Sequence, residues 1–62
     1  MKDDPMQIAD QLLQEHGLEQ AHTEVLSALF AAHASEDNYA VSVWREVKQI
    51  LAKQIAEKLS AA

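Results

Sequence analysis

One proline and one glycine punctuate this chain, and each stands where a helix would begin or end. Pro5 follows Asp4 in the run "DDPMQ". Aspartate is a good N-cap, and proline at the first helical position loses no donor that the helix needs. Gln7 stands three after Asp4, in capping-box register. Gly17 then ends the segment, since glycine readily takes the left-handed conformation that follows a helix. Between them Ile8, Ala9, Leu12, Leu13 and His16 share one face at helical spacing.

The rest of the chain follows the same logic. No stretch alternates with period two, and alanine, leucine, glutamine, glutamate and lysine dominate, all good helix formers. A second helix is predicted over about 19–34. Its stripe is Leu18, Ala21, Val25, Ala28, Leu29 and Ala32, widened on one side by Leu26 and Phe30. That breadth suits a helix packed between two others. The run "ASEDN" breaks the pattern, and Asp37 or Asn38 is expected to cap a third helix, with Ser35 a weaker candidate. Over about 38–59, Ala40, Trp44, Val47, Leu51 and Ile55 form one row, and Val43, Val47 and Ile50 form a second. Two rows sharing Val47 imply two partner helices. The expected fold is all-α, a single domain over 1–62 built as a small three-helix bundle. At 1.5 Å per residue the third helix is the longest and should overhang the second by a few turns. Ile55 and Leu59 are then the expected exposed apolar residues.

Size limits what such a bundle can do. The 62 residues bury only about 60% of the surface exposed by the unfolded chain, so a second copy is one route to stability. No cysteine is present, which excludes disulfides and thiolate metal sites and fits a reducing, cytoplasmic setting. No apolar run approaches the ~20 residues of a membrane span. The opening "MKDDPMQIAD" is polar and acidic, unlike a secretory signal.

The net charge of −5 disfavours direct contact with a nucleic-acid backbone, including a helix-turn-helix mode. The charge is uneven. Eight carboxylates precede Asn38 against Lys2 alone, whereas Arg45, Lys48, Lys53 and Lys58 later face Glu46 and Glu57. Helix-dipole matching and attraction between neighbouring helices account for this pattern, with a charged docking surface as the alternative.

Few residues could carry chemistry. His22 and His33 are eleven apart on one helix, roughly 16 Å along its axis, too far to share an ion. His16 and His22 flank Gly17, but no acid or cysteine completes a metal set there. His22 and His33 are expected at the rim of the core, each burying a ring edge. Ser27, Ser35, Ser42 and Ser60 have no histidine at a convincing helical offset, and Glu15, Glu19 and Glu24 lie on solvated faces. Neither a phosphate-binding loop nor a cofactor site is expected, and the chain is read as a non-enzyme.

Trp44 has two readings. It can be the large plug of a small core, set against small Ala28, Ala31 and Ala32, in which case Trp44→Ala costs about 3–5 kcal/mol. It can instead be an exposed anchor for a partner, as tryptophan is at interface hot spots. Tyr39 is expected over the hairpin turn with its hydroxyl in water.

His16-Gly17, the alanine-rich residues 28–34, Asp37 and the Trp44-Arg45-Glu46-Val47 tetrapeptide together resemble a group of small uncharacterised bacterial helical proteins, a domain of unknown function. That resemblance covers about residues 12–51. It implies a helical fold and a capping role for Asp37, and it supplies no activity. Glu36 stands where such proteins tend to have glycine, and Asn38 is then a candidate for the left-handed position in the turn.

The leading functional expectation is a non-catalytic protein–protein interaction module that binds another protein or a second copy of itself as a homodimer. Its candidate partner surface is Ile50, Ile55 and Leu59, with Trp44 second. The alternative is a small acidic inhibitor or regulator of a nucleic-acid-binding protein, using Asp3, Asp4, Asp10, Glu15, Glu19 and Glu24 as phosphate stand-ins.

Overall fold

The computed structural model describes residues 4–60, which form three helices: α1 (Pro5–His16), α2 (Leu18–Ala34) and α3 (Asn38–Ser60). Asp4 caps α1, its Oδ1 accepting from the Met6 N–H at 3.0 Å. Gly17 both ends α1 and precedes α2, with φ of 83°. Its N–H donates to the Leu13 carbonyl at 2.9 Å, and its own carbonyl accepts from Ala21 at 2.8 Å. One residue therefore closes one helix and opens the next.

The second turn is a Schellman motif. Asp37 N–H reaches the Ala32 carbonyl at 3.0 Å, and Glu36 N–H reaches that of His33 at 3.1 Å. The left-handed position falls on Glu36, with φ of 56°, and not on Asn38. Asn38 is already the first residue of α3. Asp37 is the cap, accepting from the Ala40 N–H at 3.1 Å.

All three helix pairs are in contact, with α2 against α3 the most extensive. The core is Ala9 from α1, Ala21 and Val25 from α2, and Val47 and Leu51 from α3. Ile8, Leu12, Leu13, Leu18, Val43, Trp44 and Ile50 pack around it, partly buried. Ile8 of α1 shares a groove with Tyr39, Ala40, Val43 and Trp44, so the N-terminal halves of α1 and α3 lie side by side. The longest dimension is 39 Å, little more than the roughly 34 Å of α3 itself.

Trp44 falls between its two readings: it packs against the core and is partly buried, while the large, fully buried side chains are Leu51, Val25 and Val47. Two expectations about packing need correction. Val41, absent from both expected rows, is buried. Val41 lies about 60° round α3 from Trp44, so the buried stripe turns away from the indole towards Val41 at that end of the helix. Leu26 and Phe30 do not widen the core: they are 42% and 77% exposed. The buried α2 residues Ala21, Val25 and Ala32 are small, and they fill the contact side and leave the flank beyond it uncovered.

The overhang is also shorter than expected. Ile55 is half-buried, and the exposed end of α3 is residues 56–60, about 7 Å of helix. Pairing across the turn explains this: antiparallel α2 returns as far as Leu18, which falls opposite residues 54–55.

Candidate interaction surface

Among the described residues apolar groups reach solvent on the outer flank of α2, in the α1/α3 groove, at the end of α3 and at Met6 near the start of α1. Phe30, on the flank, is the most exposed of the large apolar side chains. Glu19, Thr23, Leu26, Phe30 and His33 follow one another at spacings of four, three, four and three residues, and all five are exposed. That spacing sets the five along one line of the helix, a seam with apolar Leu26 and Phe30 in the middle and polar residues at both ends. The Thr23 hydroxyl donates back to the Glu19 carbonyl at 3.2 Å. Its hydrogen bond is thus made within α2. Half-buried His22 and Leu29 border the seam on the core side.

The groove lined by Ile8, Tyr39, Ala40, Val43 and Trp44 has a volume of about 240 Å³. It is smaller than the ~300 Å³ at which small-molecule pockets begin, and it lacks convergent polar groups. Tyr39 is exposed and forms part of this wall.

The residues expected to form a partner surface do not form one patch. Ile50 is half-buried and packs on the core. Leu59 is 73% exposed, but nine residues from Ile50 it lies on the opposite side of α3, about 180° round. Ile55 and Leu59 are neighbours, whereas Trp44 is roughly 16 Å along the axis from Ile55. Sequence reasoning named none of the α2 flank as a partner surface. The signal was present, since Leu26 falls 100–140° and Phe30 140–180° from Ala21, Val25 and Ala32 on a helical wheel.

The carboxylates are dispersed. Asp10 and Glu15 stand about 140° apart on α1, and Glu19 and Glu24 stand equally far apart on α2. Glu15 and Glu24 accept from Gln11 and Gln20 in the turn before, each at 3.3 Å, and Asp4 is occupied as a cap. Asp3 lies outside the described residues.

The histidines do not converge. His16 Nε2 lies 3.8 Å from Glu15 Oε1, His22 is half-buried, and His33 is exposed where a rim position was expected. Among the described residues no group of three His, Asp or Glu side chains could hold a metal ion. No helix among them is long and apolar enough to cross a membrane.

Comparison of the chain with protein-family models, curated proteins and solved structures gives no match. The resemblance to small bacterial helical proteins therefore rests on its short motifs.

Proposed function

We propose that this chain is a non-catalytic protein–protein interaction module able to self-associate. The observation that carries this reading is Phe30, 77% exposed beside Leu26 on a seam of α2 with heptad spacing. A phenyl ring left in water by a domain with so few buried side chains forgoes stability that it would gain under a partner. The absence of cysteine supports placing the module in a reducing compartment such as the bacterial cytoplasm. An acidic mimic of nucleic acid would need carboxylates in a row, and their dispersal on α1 and α2 favours the interaction module over that alternative.

The test is affinity capture together with sedimentation, using the intact chain and a Phe30→Asp variant. The reading expects association, with itself or with another protein, that the variant loses while keeping its helical circular dichroism. A chain that stays monomeric and captures nothing dependent on Phe30 would remove it.

A further inference from the structure

We infer that the partner on the α2 flank is a second copy of the same chain, its α2 lying antiparallel across this one with the two-fold axis at Leu26. This rests on the interaction-module reading above, and names the surface and its occupant.

The argument is one of charge and register. A two-fold axis at Leu26 sets residue 26+k of one chain against 26−k of the other. Leu26 then meets its own copy, Phe30 lies over the partner's His22, and His33 faces the partner's Glu19. Glu19 is the acidic residue in the first turn of α2 and His33 the basic one in its last. Each end of the seam therefore holds one half of a hydrogen-bonded or ionic pair, made twice by symmetry. The helix dipoles also run opposite ways, which is favourable.

Competing arrangements lose these contacts. A parallel pair would set Glu19 against Glu19 and His33 against His33. Shifting the antiparallel pair by one turn would bring Leu26 onto Phe30 but carry Glu19 towards the partner's acidic Glu36–Asp37 turn. The apolar contacts survive that shift and the charges oppose it, so the charges set the register.

The seam from Glu19 to His33 is about 21 Å long. A single helix face of that length buries far less than the ~800 Å² per partner of a standard interface. The dimer is accordingly weak and forms at high protein concentration.

Sedimentation velocity of the full chain, from about 10 µM to about 1 mM, reads this directly. The sedimentation coefficient should rise with concentration for the wild type and stay at the monomer value for Phe30→Asp, with helical content unchanged. His33→Glu and Glu19→Lys should each weaken association when measured separately, the first because it sets glutamate against glutamate and the second because it removes the carboxylate that accepts from His33. Mixed in equal amounts, the two variants should associate as strongly as the wild type, since the introduced glutamate then meets the introduced lysine and the remaining Glu19 meets the remaining His33. A mixture no stronger than its separate components would overturn the proposed register, whatever Phe30→Asp does. Association that survives Phe30→Asp but is lost in Leu59→Asp would overturn the α2 surface while leaving self-association standing. A wild type monomeric throughout, yet binding another protein through Phe30, would overturn the second copy and leave the interaction module intact.

Discussion

Glu36 holds a backbone conformation that suits it poorly. Its φ of 56° lies in the left-handed region, where a β-carbon costs about 1 kcal/mol that glycine does not incur. The two hydrogen bonds of the Schellman motif keep it there, and its side chain is exposed. Glu36→Gly should therefore stabilise the protein by up to about 1 kcal/mol, read as a higher urea midpoint with an unchanged slope. Gly17 gives the opposite sign. A β-carbon there would meet nothing within 4 Å, but the φ of +83° remains. Its ψ of 167° lies outside the left-handed helical basin, in a region almost reserved for glycine, so Gly17→Ala and Gly17→Asn should each cost about 1–3 kcal/mol through backbone strain with no clash. Loss of the Asp37 cap by Asp37→Ala should cost about 1 kcal/mol, the same size as the Glu36 effect.

At the level of the helices, α3 divides into a packed part and a bare end. Val41, Val47 and Leu51 are buried, whereas residues 56–60 are exposed. Leu59→Asp should leave the melting temperature of the dilute protein unchanged, while Val47→Ala should lower it; thermal circular dichroism separates the two. The helix limits themselves were legible in the sequence, because Asp4, Pro5, Gly17 and Asp37 act through their own backbone neighbours. The side of each helix that is buried was less legible. It depends on how closely the rods approach, and Ala9, Ala21 and Ala32 let them come near. That closeness buries Val41 and half of Ile55 but leaves Phe30 outside, although Val41, Ile55 and Phe30 look equally apolar in the sequence. The exposed flank of α2 was harder to read for the same reason: the sequence marks which residues share a face, but not which face is left without a neighbour.

For the molecule as a whole, stability rests on few side chains. A chain of 62 residues has a core that supplies no more than about 3–5 kcal/mol of net stability. Leu51 is fully buried, whereas Trp44 is partly buried and packs against the core. Leu51→Ala should cost about 2–5 kcal/mol and leave much of the protein unfolded. Trp44→Ala should cost less, although the side chain removed is larger, and chemical denaturation of the two variants would rank them. A third consequence concerns Gly17, the single residue between α1 and α2. The connection has no spare length in which to hide an addition. One extra alanine beside Gly17 would turn α2 about 100° about its axis, rolling Val25 away from the middle of the bundle. A chain lengthened there by one amino acid would be forced to choose between its joint and its interior, whereas the exposed polar turn before α3 leaves more room for such an insertion.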